Sequence, residues 1–148
     1  MNDDGGTLYH DAILALARSR EGAGSLPEPN VSATINNPLC GDRVTMDLAL
    51  DGGGTVTALA HRVRGCALCE AAAAAISRHA AGLDAPAIEA ASAAADAILR
   101  GEALPAGSWP EIALFAPVAA HRSRHRCVTL PFEAVREALR KAGGGTAV

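Results

Sequence analysis

The four cysteines of this chain fall in only three short stretches, and this distribution constrains the fold more strongly than any other feature. Cys40 lies in the stretch 37–42 (NPLCGD), Cys66 and Cys69 bound the stretch 66–69 (CALC), and Cys127 closes the stretch 124–127 (RHRC). In a reducing compartment, cysteines are more often metal ligands or redox groups than disulfides. We therefore expect the fold to bring the three stretches together around a metal.

Length and composition indicate one small domain without a nucleic-acid or membrane partner. The 148 residues are 49% apolar but contain few aromatic side chains, so the core must be built from Leu, Ile, Val and Ala. The net charge is −3 and no continuous basic stripe is present, which argues against nucleic-acid binding. The longest apolar run, 66–76, is interrupted by Glu70 and is too short to span a bilayer. The N-terminus lacks the features of a signal peptide, so we expect a cytoplasmic protein.

The first half of the chain predicts one helix followed by three strands. Thr7 is suited to cap a helix that runs to about Arg20, with Leu8, Ala12, Ile13, Leu16 and Ala17 on its apolar face. A glycine- and proline-containing loop covers 21–30. Alternation of apolar and polar residues, with turn residues between the runs, then predicts an antiparallel meander with strands at 31–36, 43–50 and 55–63.

The second half predicts mostly helices. An alanine-rich helix covers 66–81 and ends at Gly82, and a second helix begins at Asp84 and runs to about Arg100. A short helical stretch covers 110–114, the segment 116–126 has no clear pattern, and Pro131 is expected to open the last helix. The predicted fold class is α+β, a small three-stranded antiparallel sheet packed against several helices. We expect a single domain over 7–142, with disordered ends at 1–6 and 143–148.

The reactive residues near the cysteines suit a metal site. Cys66 lies at the start of a predicted helix, where free N–H groups favour a thiolate. Cys40 and Asp42 are two residues apart in an extended turn, so both can point at one centre. Together with Cys127 they offer three thiolates and one carboxylate, a donor set for tetrahedral zinc or for an iron–sulfur cluster. Arg124 or Arg126 can offset the remaining negative charge.

Three motifs resemble the SufU/IscU/NifU N-terminal family of iron–sulfur cluster assembly scaffolds: Asn-Pro-x-Cys-Gly-Asp-Arg after a strand, Arg-Gly-Cys opening a helix, and Arg-x-x-Cys before the last helix. The resemblance implies that Cys40, Asp42, Cys66 and Cys127 hold zinc, iron or a nascent cluster. It implies that Arg124, three residues before the last cysteine, assists ligand exchange. The implied partners are a SufS-like cysteine desulfurase, which delivers persulfide sulfur to Cys40, and acceptor apoproteins for the finished cluster.

The long interval between Cys66 and Cys127 is more similar to the SufU branch than to the IscU branch. The IscU branch carries a His directly before the last cysteine, whereas this chain has Arg126 there and His125 one residue earlier, which makes His125 a reserve ligand. Cys69 replaces the serine usual in the family. It is a candidate extra ligand, in place of Asp42, or a candidate sulfur acceptor.

Two other interpretations remain open at the level of sequence. Cys66-Ala67-Leu68-Cys69 is a C-x-x-C at a helix start, as in thioredoxin-like redox proteins, although no βαβ unit surrounds it. A structural zinc module that binds a partner would also use the same ligands. His61 and His79 are expected to be core or surface residues rather than ligands.

Overall fold

A computed structural model of the chain describes residues 10–39 and 41–143. The elements follow in the order α1 (Asp11–Ser19), β1 (Val31–Asn37), β2 (Asp42–Leu50), β3 (Val56–Arg64), α2 (Ala67–Ala80), α3 (Ala85–Leu99), a 3-10 helix (Pro110–Ala120), a short 3-10 turn (Arg122–Arg124) and α4 (His125–Ala142). The predicted α+β class is confirmed. Thr7 and Leu8, predicted to start the first helix, lie outside the described residues.

The sheet is an antiparallel meander in the order β1-β2-β3, as predicted. Val44, Met46 and Leu48 of β2 are fully buried, so these alternate residues form the inner face. The register places His61 opposite Met46 and therefore on this inner face as well. This pairing resolves the orientation of β3, which its mixed apolar pattern leaves ambiguous.

The inner face of the sheet is covered by helices that approach closely. Helix α4 packs on β1 and β2, and α2 packs between α1, α4 and β3. The alanine run 71–75 of α2 is fully or almost fully buried. Because alanine side chains are short, they let neighbouring helices come near the α2 backbone, as the composition suggests. In the described part of the chain, no helix combines the length and the apolar character needed to cross a bilayer.

The outer face of the sheet is partly covered by the loop between α1 and β1. Arg62 on β3 forms an ion pair of 2.9 Å with Asp47 on β2, and its guanidinium also donates to the Gly24 carbonyl and the Ser25 hydroxyl. The Asp47 carboxylate in turn accepts the Leu26 N–H at 3.1 Å. These bonds hold the loop against the sheet and satisfy a carboxylate that is almost fully buried.

The last helix begins at His125, so the prediction that Pro131 opens it is wrong. Pro131 lies inside α4 and is buried there, together with Leu130 and Phe132. A proline inside a helix cannot donate to the carbonyl four residues earlier, here that of Cys127. Burial of the apolar face of α4 offsets the missing bond, because tertiary packing contributes most of a helix's stability. Cys127 therefore lies in the first turn of α4, not in the loop before it.

Two smaller differences concern the helical segments. Ala12, predicted on the apolar face of the first helix, is exposed, whereas Ile13, Leu16 and Ala17 are buried there. The segment 116–126, for which the sequence shows no clear pattern, continues the 3-10 helix from Pro110 and leads into α4. This continuous chain path brings Arg124 and Cys127 to the same end of the molecule as the start of β2.

Candidate metal centre

Three elements present a potential metal ligand at one point of the fold. Asp42 is the first residue of β2, Cys66 is the residue just before α2, and Cys127 lies in the first turn of α4. The carboxylate oxygen of Asp42 and the two sulfur atoms all lie within 4.8 Å of one another. The sequence prediction placed all three residues in one site, and the structure brings them together.

Two glycines make this convergence sterically feasible. Gly41 adopts φ +76°, a left-handed conformation that favours glycine, and turns the chain into β2 at Asp42. Gly65 lies directly against the centre: a Cβ atom there would come within 3.1 Å of the Asp42 carboxylate and 3.2 Å of Cys69 Cβ. This glycine is the middle residue of the Arg-Gly-Cys motif, whose sequence alone does not reveal its role. Its role is to let the start of α2 approach the carboxylate.

Asn37 supports the loop that leads to the site. It pairs with Asp42 in the sheet register and is only 4% exposed. Its side-chain carbonyl accepts the Leu39 N–H at 3.2 Å, and its backbone carbonyl accepts the Gly41 N–H at 2.8 Å. An asparagine that bonds to the backbone two residues later is a common turn-forming device. Asn37 therefore fixes the described residues on either side of position 40.

The three ligand candidates differ in their access to solvent. Asp42 is 7% exposed and Cys127 is 2% exposed, whereas Cys66 is only half-buried. Burial of a carboxylate next to two thiols is costly unless opposite charge or hydrogen bonds compensate it. The buried oxygen and sulfur donors of this group are of the kind that bind a metal cation.

The two thiols of the centre differ in their pKa values. A hydrogen bond with Cys127 lowers the pKa of Cys66 to about 6, and the backbone N–H groups of Cys69 and Leu68 act in the same direction. Burial and the negative charge of Asp42 oppose this shift. The hydrogen bond with Cys66 raises the pKa of Cys127, and burial adds to that increase. Cys66, at the helix N-terminus, is therefore the more acidic of the two thiols.

Arg124 and Arg126, both predicted to offset negative charge, have different contacts. Arg124 forms a hydrogen bond with the Cys127 side chain and acts to lower the pKa of that thiol. Arg126 instead forms an ion pair with Glu133 at 2.8 Å along the exposed side of α4. Arg124 is therefore the arginine that contacts a sulfur atom of the centre.

The geometry of the centre fits a thiophilic metal. Sulfur ligands at about 2.3 Å from a tetrahedral ion lie about 3.8 Å apart. The observed upper distance of 4.8 Å is compatible with this after a small closure of the side chains. The mixed sulfur and carboxylate donor set is typical of zinc and of iron in biological sites.

The remaining predicted site residues have other positions. Cys40 lies outside the described residues. Cys69 is fully buried in the core of α2. His125 directs Nε2 to the carbonyls of Val118 and Ala119, at 3.1 Å each. His61 is buried on the sheet, and its Nε2 is 2.9 Å from the Glu21 carbonyl.

His79 stacks on Trp109 and forms an ion pair with Glu111. This position agrees with the expectation that His79 is not a ligand.

The redox interpretation of the C-x-x-C motif finds little support in this geometry. The Cys66 sulfur forms a hydrogen bond with the Cys127 side chain, and Cys69 contributes its backbone N–H. Cys69 has no solvent exposure, so an external disulfide partner cannot reach its sulfur without local opening. The preceding strands form an antiparallel hairpin, not the βαβ unit of thioredoxin-like proteins.

We expect Cys69→Ser to keep its metal, because the ligand atoms converge from Asp42, Cys66 and Cys127. The substitution should lower the free energy of unfolding by about 1–3 kcal/mol, since a hydroxyl is more costly to bury than a thiol. Metal content and urea unfolding measure both effects. Reduced sulfur loading per desulfurase turnover would identify Cys69 as an exchange ligand or sulfur acceptor, and unchanged loading would leave it a packing residue.

Comparison with known proteins agrees with the motifs. Residues 8–128 match the profile of the NifU-like N terminal domain. The chain is similar to the iron-sulfur cluster assembly scaffold protein IscU of Thermotoga maritima, with 27% identity over 134 residues, 90% of this chain and 94% of that protein.

Two solved structures share the fold. One is a nitrogen-fixing NifU-like protein (N-terminal) from Brucella abortus, with a TM-score of 0.88, 32% identity, and coverage of 96% of this chain and 99% of that one. The other is a putative iron-sulfur cluster assembly scaffold protein for the SUF system from Fervidobacterium islandicum, with a TM-score of 0.83, 20% identity, and coverage of 90% and 98%. At this lower identity, the second similarity concerns the fold alone.

Proposed function

The chain belongs to the NifU-like N-terminal domain family, and we propose that it is a scaffold on which sulfur and iron are assembled into a cluster for delivery to other proteins. The observation that carries this proposal is the convergence of Asp42, Cys66 and Cys127 within 4.8 Å. The IscU relative, named as an assembly scaffold, supports it.

Cys40 is the proposed fourth ligand and the sulfur acceptor. It lies two residues before Asp42 in the sequence, within the Asn-Pro-x-Cys-Gly-Asp-Arg motif that supports this assignment. With Cys40, the centre has three sulfur donors and one oxygen donor, the number that a tetrahedral site requires. The cargo is a nascent iron–sulfur cluster, and zinc is the alternative ion for the resting state.

The proposed sulfur transfer needs no external oxidant or reductant. The Cys40 thiolate attacks the terminal sulfur of a persulfide on a cysteine desulfurase. A new sulfur–sulfur bond forms on Cys40, the sulfur–sulfur bond of the donor breaks, and the donor cysteine leaves as a thiolate. The proton of the persulfide stays on the transferred sulfur.

Arg124 is proposed to assist the exchange of ligands that this transfer requires. Its guanidinium bonds to the Cys127 side chain, so it can stabilise that sulfur as a thiolate whenever another ligand is released. The site must open to take up sulfur and to release a cluster. The proposed partners are a cysteine desulfurase and apoproteins that accept the cluster, in the cytoplasm, where thiols remain reduced.

The proposal can be tested by assembly under nitrogen. The protein is incubated with a cysteine desulfurase, cysteine, ferrous iron and dithiothreitol, which supplies the two electrons that convert each persulfide sulfur to sulfide, and bound iron, bound sulfide and visible absorption are measured. We expect sulfur and iron to accumulate together and to move to an apoferredoxin. The metal content of the protein as purified decides between zinc and iron at rest.

A parallel reaction replaces the desulfurase and cysteine with inorganic sulfide. If a cluster forms only with inorganic sulfide, the scaffold role is supported and the proposal that the protein accepts sulfur from the desulfurase is contradicted. Failure to form a cluster in either reaction would contradict the proposed function itself.

A further inference from the structure

Two arginines face each other on the outer surface of the sheet, next to the candidate metal centre. In the antiparallel register Arg43 on β2 is directly opposite Arg64 on β3, and Asn36 on β1 completes this row. Both arginines are exposed. Because side chains alternate along a strand, Arg43 points outward while its neighbour Asp42 points inward, to the centre.

The pairing of two like charges is unfavourable in an isolated protein. Residues directly opposite in an antiparallel pair have Cβ atoms about 4.5–5.5 Å apart, and like charges there destabilise the sheet. Arg43 donates from Nε to the Asn36 side-chain carbonyl at 2.9 Å, which leaves its charge uncompensated. Within residues 10–39 and 41–143, the Arg64 side chain makes no hydrogen bond or ion pair.

The next cross-strand pair on the outer face, Thr45 and Arg62, shows an arginine that has a carboxylate partner. There Arg62 forms an ion pair with Asp47 at 2.9 Å, and a hydroxyl, Thr45, stands opposite it on β2. The sheet can therefore hold an arginine with a carboxylate partner. In the row that contains Arg43 and Arg64, no carboxylate among the described residues forms an ion pair with either arginine.

The exposed side chain of Leu39 lies at the same end of the sheet. Leu39 is 96% exposed, and it is the one large apolar side chain so exposed in the described part of the chain. Its backbone N–H donates to the Asn37 side chain at 3.2 Å, which fixes the backbone that carries this side chain. Large apolar side chains and arginines are both enriched among the central residues of protein interfaces.

We propose that Arg43, Arg64 and Leu39 form the docking surface for a carboxylate-bearing face of the protein that delivers sulfur to the centre, an inference that rests on the proposed function. Guanidinium groups bind carboxylates in a bidentate fashion, and partner carboxylates would remove the repulsion between the two arginines. Arg43 directly follows Asp42 and Arg64 is two residues before Cys66, so a protein bound here meets the edge of the centre. Two arginines in a chain of net charge −3 suit an acidic protein surface better than a nucleic acid.

The test measures desulfurase-driven sulfur loading as a function of the concentration of this protein. For Arg64→Glu and Arg43→Glu we expect KM to rise at least about tenfold with kcat nearly unchanged, and the dependence of KM on salt to become weaker. Leu39→Ala should raise KM by a smaller factor. Bound metal should stay at the wild-type level in all three variants.

A charge-reversed control separates this effect from a general change in charge. Arg140→Glu makes the same change on α4, about 20 Å along the helix from Cys127 at 1.5 Å per residue, and should leave KM unchanged. Arg64→Glu is also its own control for misfolding. It places a glutamate opposite Arg43 and so replaces a repulsive cross-strand pair with an attractive one. We expect its melting temperature to equal or exceed that of the wild type.

The outcomes distinguish the docking surface from the proposed function. If the wild type accepts sulfur and Arg64→Glu shows the same KM as wild type, the docking surface is wrong and the proposed function stands. If the wild type accepts no sulfur from the desulfurase, sulfur acceptance fails and the docking proposal fails with it. Retention of an oligonucleotide by the wild type, lost in Arg64→Glu, would replace the acidic protein with a nucleic acid and overturn the proposal.

Discussion

Replacing Cys66 with alanine is expected to weaken binding of zinc or ferrous iron by more than about 100-fold. Loss of a residue that only orients a metal ligand typically costs 10–100-fold in affinity, so loss of a ligand should cost more. A metal present at 1,000 times its Kd stabilises the folded state by about 4 kcal/mol, and the variant should lose this stabilisation. Metal content by mass spectrometry and the metal-dependent shift in melting temperature measure the two effects. Cys127→Ala, which removes the sulfur that is hydrogen-bonded to Cys66, should behave in the same way.

Two further variants test whether the loss of metal affinity is caused by removal of the ligand sulfur and not by unfolding of α2. Cys69→Ala changes a fully buried cysteine on the same helix, outside the convergent group, and should keep its metal. Cys66→Ser removes the soft donor but supplies a residue preferred before the first turn of a helix, so α2 should remain folded. Stoichiometric metal in Cys66→Ala would remove Cys66 from the ligand set.

The parts of this fold that follow local rules could be predicted from the sequence. Strand β2 alternates apolar and polar residues, and the buried positions Val44, Met46 and Leu48 are the ones its alternation selects. Asp84 caps α3 through a bond from the Ala87 N–H, and Pro86 lies in its first turn. In these places propensity, pattern and tertiary contacts favour the same conformation, so a single sequence was sufficient.

The last helix shows where local rules fail. Pro131 is a good residue for the first turn of a helix, and that rule placed the start of α4 too late. Burial of Leu130, Pro131 and Phe132 against the rest of the core extends the helix back to His125. The sequence of α4 alone does not contain this information, because the contacts come from elements distant in the chain.

The candidate centre was predictable in its composition but not in its contacts. The family motifs indicate Asp42, Cys66 and Cys127. They do not predict the hydrogen bond between the two sulfur atoms or the opposite shifts in their pKa values, because the two cysteines belong to helices far apart in the chain. The steric role of Gly65 likewise needs the position of the carboxylate. The place of Cys40 in the ligand set remains a prediction from the motif.

Replacing Asp42 with alanine is expected to slow cluster transfer to an apoferredoxin by about tenfold, which corresponds to about 1.4 kcal/mol in the barrier. A carboxylate is a hard donor in a site of soft sulfur ligands, so it is the donor most easily released. The negative charge of Asp42 also opposes the charge on Cys66, as its effect on the pKa of that thiol shows. Without the carboxylate, the sulfur ligands should hold the cluster longer. Visible absorption of the scaffold and the acceptor, recorded during transfer, gives both rates.

Gly65 offers a way to perturb the carboxylate without removing it. In Gly65→Ala the new Cβ would be within 3.1 Å of the Asp42 carboxylate, which must then shift, and we expect an intermediate slowing of transfer. Asp42→Asn keeps the shape of the side chain and removes its charge. It therefore separates the effect of the charge on the rate of cluster transfer from the effect of the shape. Transfer at the wild-type rate in Asp42→Ala would show that Asp42 is only a turn residue. Loss of the cluster from that variant would show instead that the carboxylate holds the cargo in place, and that its release is not the step that opens the site.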